Sequence, residues 1–231
     1  MVRIRDLHKW YGKNQQRQEV LKGIDLEIPS GQMVCLLGPS GSGKSTLLNI
    51  LGGIECIDQG HVEACGQRLE GLSEKALSQY RRQHVGFVFQ FYNLIDHLTV
   101  RENIRAGAYL SKDPLVVETL LGALGLAEQA GKYPNEISGG QAQRTSIGRA
   151  MAKKPTLLLC DEPTGALDYE SAKGVLALIE DLNANHQTTV IIATHNTQIA
   201  RMCDMTLKLH DGNLNQVERN QNKLTAKDVR W

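Results

Sequence analysis

The stretch Gly38-Pro39-Ser40-Gly41-Ser42-Gly43-Lys44-Ser45-Thr46 constrains this chain more than any other. It fits the phosphate-loop pattern G-x-x-x-x-G-K-[ST], and it sits where that pattern needs to sit. Before it runs the short apolar segment Met33-Val34-Cys35-Leu36-Leu37, and after it Leu47, Leu48, Ile50 and Leu51 repeat at helical spacing. A buried strand, a glycine-rich turn and a helix are therefore expected in succession. Glycines let successive backbone N–H groups point into one concavity, and the helix start adds its positive dipole end, so the loop suits phosphate oxygens. Lys44 adds a mobile cation for the outer phosphates, and Ser45 a hydroxyl for the Mg²⁺ that accompanies them.

At 231 residues, 41% hydrophobic and 22% charged, the chain has the length of one large globular domain, with or without a small subdomain. Its formal net charge of +1 gives no electrostatic reason to expect nucleic acid or an anionic surface as the main partner. No apolar stretch approaches the roughly 18 residues of a membrane helix, and Met1-Val2-Arg3-Ile4-Arg5-Asp6 lacks a signal-peptide core, so a cytoplasmic location is expected. Five cysteines without a C-x-x-C pair read as small core residues in a reducing compartment.

Taken in order, Val2–Tyr11 and Val20–Ile28 read as two strands of an antiparallel layer, joined by the polar loop Gly12–Glu19. Val20, Ile24, Leu26 and Ile28 are expected on one face. Tyr11 either stacks on a purine ring or packs at a strand edge. His61–Cys65 is a short strand, Ser73–Arg82 a helix, and Val85–Gly86–Phe87–Val88–Phe89–Gln90 a buried strand ending in a polar residue. That residue, Gln90, either reaches Mg²⁺ or a water, or simply faces solvent. Thr99 caps one helix of a helical insertion over residues 91–138, and Asp113-Pro114 is expected to open another.

Ser138-Gly139-Gly140-Gln141 forms a capping box at the head of the next helix. Two glycines in a first helical turn cost up to about 1 kcal/mol each, so something needs bare backbone there, and a second anion site is one reason. Thr156–Cys160 is an apolar run ending in Asp161-Glu162, as in a central parallel strand whose carboxyl end meets the phosphate loop. One carboxylate suits Mg²⁺, and the other suits placing or deprotonating the attacking water. A helix over Glu170–Leu182 follows, then a strand over Thr188–Ala193 ending at Thr194-His195, where His195 is either structural or a γ-phosphate donor. Ile199–Met202 reads as a short helix, and a hairpin turns at Asp211-Gly212. The polar tail Arg219–Trp231 is either disordered or docked on a partner.

In this order the motifs resemble the nucleotide-binding subunit of an ATP-binding cassette (ABC) transporter over residues 1–218. The resemblance implies an α/β phosphate-loop NTPase core (residues 1–90 and 139–218) with an antiparallel β layer, an inserted helical subdomain (91–138) and a polar tail (219–231). By residue, it implies adenine stacking by Tyr11 and a Walker A loop at Gly38–Thr46. Gln90 would be the Q-loop glutamine and Asp161 the end of the Walker B strand, both with Ser45 at Mg²⁺. Glu162 would be the catalytic base, Ala166-Leu167-Asp168 the D-loop and His195 the switch histidine. Ser138-Gly139-Gly140-Gln141 corresponds to the signature that completes the site of a second, head-to-tail copy when ATP closes the dimer. Phe87–Leu94 and Asp161–Asp168 look most like the branch of macrolide exporters, lipoprotein-releasing transporters and antimicrobial-peptide transporters. Ile137, Ala142 and Ala166 depart from residues common among such relatives.

The implied function is an ATPase that powers export or an envelope-facing machine, attached to the inner face of the cell membrane through a separate permease subunit. The alternative is an ABC-type mechanical transmitter that signals across the membrane and moves no substrate. A soluble ABC ATPase of DNA repair or translation fits poorly, because the chain has neither long heptad insertions nor a second cassette.

Overall fold

The computed structural model describes residues 1–12 and 17–229; half of the loop expected over Gly12–Glu19 and the last two tail residues lie outside it. Strands β1 (Val2–Tyr11) and β2 (Gln18–Ile28) pair antiparallel, with Val2 opposite Ile28 and Ile4 opposite Leu26. With β4 (Gln59–Ala64) and β5 (Gln67–Arg68) they form a sheet of order β2-β1-β4-β5. The expected antiparallel layer is present, but the alternation along β2 is not the simple one. Asp6 at φ 46° and Gly23 at φ 70° lie where the β1–β2 register shifts. Such irregularities exchange the two faces of a strand. Leu21 therefore joins Ile24, Leu26 and Ile28 in the core, and Val20 turns toward the phosphate loop.

The second sheet has the order β10-β9-β3-β8-β7-β6. Strands β3 (Met33–Leu37), β6 (Val85–Val88), β7 (Leu157–Asp161), β8 (Thr189–Thr194) and β9 (Met205–His210) run parallel, and β10 (Asn213–Arg219) closes the edge antiparallel to β9. Every residue of β8 is buried, the mark of a strand covered on both faces. On one face, helix α1 (Lys44–Leu51) lies between the sheets, and Leu47, Leu48, Ile50 and Leu51 share a core with Ile24, Leu26, Leu36 and Leu159. On the other face pack α3 (Val100–Ala108), α4 (Val117–Ala123), α5 (Gly139–Met151), α6 (Tyr169–His186) and α7 (Thr197–Ala200). Their Ile104, Leu124, Ile147, Val175 and Ile179 meet Cys35, Cys160 and Ile192 from the sheet. Helix α2 (Glu74–His84) leads into β6 and is capped by Ser73.

Three expectations change. Asp113-Pro114 does not open a helix: Asp113 pairs with Lys154 at 2.6 Å and the Leu115 N–H donates to the Ala152 carbonyl, which hold this stretch outside a helix. Helix α4 begins at Val117, without a side-chain cap. Cys56 is exposed and Cys65 only half-buried, because they lie in an irregular connection and in a turn, whereas Cys35, Cys160 and Cys203 are core residues. The tail packs on its own chain. Ala226 and Val229 are fully buried, the Leu224 N–H donates to the Arg201 carbonyl, the Ala226 N–H to Glu180, and Lys223 pairs with Asp204 at 2.6 Å.

Candidate active site

The carboxyl ends of β3, β7 and β8 meet at one cleft of about 790 Å³, lined by Tyr11, Val20, Ser40, Gly41, Gly43, Lys44, Ser45, Thr46, Gln90, Asp161, Glu162 and His195. The loop Gly38–Gly43 joins β3 to α1. Two glycines there meet specific demands: a Cβ on Gly38 would run into the Leu209 carbonyl, and Gly43, at φ 103°, would place one 2.8 Å from Leu21 Cδ2. A Cβ on Gly41 would meet nothing within 4 Å, so the loop stands open at that point. The buried Lys44 ammonium donates to the Gly38 and Pro39 carbonyls at 2.8 and 3.0 Å. Ser42 Oγ is buried without a partner among the described residues. Thr46 and Ser45 follow in the first turn of α1, and Tyr11 Oη lies 3.5 Å from Thr46 Oγ1 while donating to Glu55.

Asp161 ends β7 beside the Ser45 hydroxyl. Burial, and then the neighbouring Glu162 charge, push its carboxyl above the usual aspartate range, against the opposing Ser45 hydroxyl and Lys44 charge. Glu162 leaves the strand at φ 46°, an uncommon conformation for a non-glycine residue, with its N–H on the Ala193 carbonyl at 2.9 Å. Both of its carboxylate oxygens are engaged. Thr194 Oγ1 donates to Oε2 at 3.2 Å, and His195 Nδ1 lies 3.0 Å from Oε1. The carboxylate is mostly covered, whereas the His195 ring is 70% exposed and reaches into the open side of the cleft. Gln90 approaches from the end of β6, its amide nitrogen 3.3 Å from where a Cβ on Gly165 would stand. The arrangement offers phosphate-binding N–H groups, one mobile cation and two carboxylates in different environments.

Ser138, Gly139, Gly140 and Gln141 do not line this cleft. They open α5 with the expected capping box, Ser138 Oγ accepting from the Gln141 N–H and Gln141 Oε1 from the Ser138 N–H. Pro39 likewise lies outside the lining, as an acceptor for Lys44. Gly140 has a packing reason to be glycine, since a Cβ would come within 2.7 Å of Ser171 Oγ on α6. Three residues at the site carried no assigned role in the sequence: Val20, Glu55 and Thr194. Val20 is turned in by the register shift of β2, a tertiary effect, whereas Thr194 preceding His195 at a strand end was visible.

Comparison with known proteins bears on this geometry. Residues 21–165 match the family described as ABC transporter. The chain is 42% identical over its full length to a putative ABC transporter ATP-binding protein, MG065, of Mycoplasma genitalium, and spans 50% of that relative. It is 42% identical over 214 residues to the bacitracin export ATP-binding protein BceA of Halalkalibacterium halodurans, covering 90% of this chain and 85% of that one. A solved structure, the ATP-binding cassette MJ0796 as a post-hydrolysis dimer bound to ADP and Pi, superposes with a TM-score of 0.88 at 33% identity, over 96% of this chain and all of the other. BceA agrees with the branch that the resemblance indicated. With a matching family, a relative of nearly its own length and a cassette of the same fold, the chain belongs to the ABC transporter family, as one of its ATP-binding ATPases.

Proposed function

We propose that this chain is the ATP-hydrolysing subunit of a membrane transporter, working in efflux or envelope-facing export. The observation that carries the catalytic part is the single cleft in which the phosphate loop, the Ser45–Asp161 pair and the doubly held Glu162 meet. The ATP phosphates lie in the N–H concavity of Gly38–Thr46, with Lys44 exchanging its carbonyl partners for phosphate oxygens. Tyr11 stands at the Thr46 end of the cleft, where the adenine ring would stack on it.

The donors fit magnesium: Ser45, Asp161 and Gln90 supply a hydroxyl, one carboxylate and an amide oxygen, the sparse oxygen set of an ion that keeps several waters and phosphate oxygens. Asp161 is held above its ordinary range by burial and by Glu162, so a cation beside it relieves a charge the fold keeps at a cost. When bound, the ion neutralises charge on the phosphate oxygens. Glu162 places the attacking water and takes its proton, because Thr194 and His195 fix both carboxylate oxygens. His195 and Gln90 close the γ-phosphate end.

The signature Ser138–Gln141 lies outside its own chain's cleft, which supports a head-to-tail dimer in which each copy completes the other's site. The dimeric cassette among the solved relatives supports the same arrangement. Among the described residues no helix is long and apolar enough to cross a membrane; a membrane-spanning permease partner supplies the pathway, a reading that the transporter relatives support. An export relative supports the direction of transport. The test is affinity purification of the tagged chain from native membranes in Mg-ATP, with turnover measured on the purified chain. Co-purification of a membrane protein with a large extracytoplasmic domain is expected. Recovery of soluble proteins alone overturns the transporter assignment, and absence of ATP turnover overturns the catalytic one.

A further inference from the structure

We infer that Tyr92 interlocks the Gln90 segment with helix α5, so that the loop bearing Gln90 and the helix headed by Ser138 move as one body, with Tyr92 and Arg149 as positioning residues. The inference rests on the proposed roles of Gln90 and Ser138. Tyr92 and Asn93 adopt φ 57° and 48°, values that non-glycine residues keep only when their surroundings hold them. The hold comes from the last turn of α5, where Arg149 donates to the Asn93 carbonyl at 2.6 Å and to the Tyr92 carbonyl at 3.2 Å. Burial holds this guanidinium below the usual arginine range, with no charged partner contributing among the described residues. A half-buried cation engaged by two carbonyls of one loop is a specific clamp.

The other grip is at the opposite end of the helix. A Cβ on Gly139 would stand 2.7 Å from Tyr92 Oη, while its next neighbours, Leu167 Cδ2 and Tyr92 Cζ, lie at 3.7 Å. Gly139 and Arg149 stand ten residues apart on α5, about 15 Å at 1.5 Å per residue, and the Tyr92 phenol and the long Arg149 side chain span that distance between them. Beside the Gly139 grip lies a cleft of about 350 Å³ lined by Phe91, Tyr92, Asn93, Leu94, Ile137 and Gly139 among others. Helix α3 fixes the Arg149 end, because a Cβ on Gly107 would run into the Arg149 carbonyl. The phenol of the same chain is therefore a reason for bare backbone at Gly139, independent of any anion that the helix start meets.

The test is a suppressor pair. Gly139→Ala, Tyr92→Phe and the double variant are compared for ATP turnover, ATP affinity of the monomer and thermal midpoint. Gly139→Ala is expected to lower kcat about tenfold or more with monomer affinity unchanged, since a displacement of under an ångström away from the bound nucleotide suffices to misplace the site. Removing the phenol oxygen leaves only the 3.7 Å neighbours, so the double variant returns to within about threefold of Tyr92→Phe, in turnover and in thermal midpoint. An undiminished Gly139→Ala, or a double variant as impaired as Gly139→Ala, overturns the interlock. Arg149→Lys is expected to speed amide hydrogen exchange over residues 90–94 in the nucleotide-free chain, and unchanged exchange also overturns it. If the wild-type chain shows no ATP turnover, the proposed function fails, and the thermal midpoints and exchange still decide the interlock.

Discussion

Glu162→Gln separates nucleotide binding from hydrolysis, and the structure sets the size of each effect. The substitution changes one atom and leaves the φ of 46° as tolerable, or not, as before. A carboxamide keeps an oxygen for Thr194 Oγ1, now at 3.2 Å, and an N–H₂ for an unprotonated His195 Nδ1, now at 3.0 Å. The fold should therefore lose no more than about 1 kcal/mol, the worth of one hydrogen bond. The variant has no basic oxygen to take a proton from water. General-base assistance is worth about 10²–10⁴ in rate, or about 2.7–5.4 kcal/mol of barrier. Binding groups are untouched, so at an ATP concentration about 100 times Kd the chain should gain about 2.7 kcal/mol, near 5–11 °C of melting temperature for a domain of this size. Steady-state phosphate release, thermal shift and gel filtration in Mg-ATP measure all three, and an ATP-bound dimer should accumulate. Turnover within about tenfold of wild type, with the thermal shift intact, would refute the role of Glu162 as base.

Ser138→Arg should abolish hydrolysis while ATP affinity of the monomer stays unchanged, because Ser138 does not line its own cleft; lost monomer affinity in equilibrium dialysis would place it there. Losing that N-cap costs about 1 kcal/mol, or about 2–4 °C. Asp161→Asn should melt higher than wild type at pH 7 without nucleotide and gain little from Mg-ATP. The wild-type carboxyl titrates above its ordinary value in the fold, so the native state binds the proton more tightly and stability falls as pH rises from that value through the raised one; a variant that melts lower contradicts this. His8 gives a pH dependence of the same sign for a different reason, since here the charged form is the one the fold favours. Its hydrogen bond to Glu19, and then Asp6, hold the imidazolium above the ordinary range against burial, so its contribution is full below pH 6.5 and lost as pH rises through the raised value. His8→Gln should flatten that fall in urea midpoints measured from pH 5.5 to 9, and an unchanged slope would remove His8 as its cause.

Local chemistry was legible where one short stretch carries the whole signal. The loop Gly38–Thr46, the capping box at Ser138 and the apolar run into Asp161-Glu162 each occupy the expected element. Such signals are read within a turn or a strand, from spacing, glycine and charge. Asp113-Pro114 shows their limit. It carries the signature of a helix start, yet bonds from Lys154 and Ala152, residues 41 and 37 positions away, hold it otherwise. A contact across that distance has no periodicity to reveal it.

The chain's own order of residues thus determined that there is a nucleotide loop, which strands are buried on both faces and which side chains stand at strand ends. Backbone sterics, apolar periodicity and capping act over a few residues and need no partner. Tertiary structure alone decided that a register shift turns Val20 into the cleft, that Thr194 and His195 share the Glu162 carboxylate, and that the tail lies on α6. It also set Tyr92 against Gly139, 47 residues further along the chain. These depend on how separate elements pack, and packing is settled by shape and burial summed over the whole core.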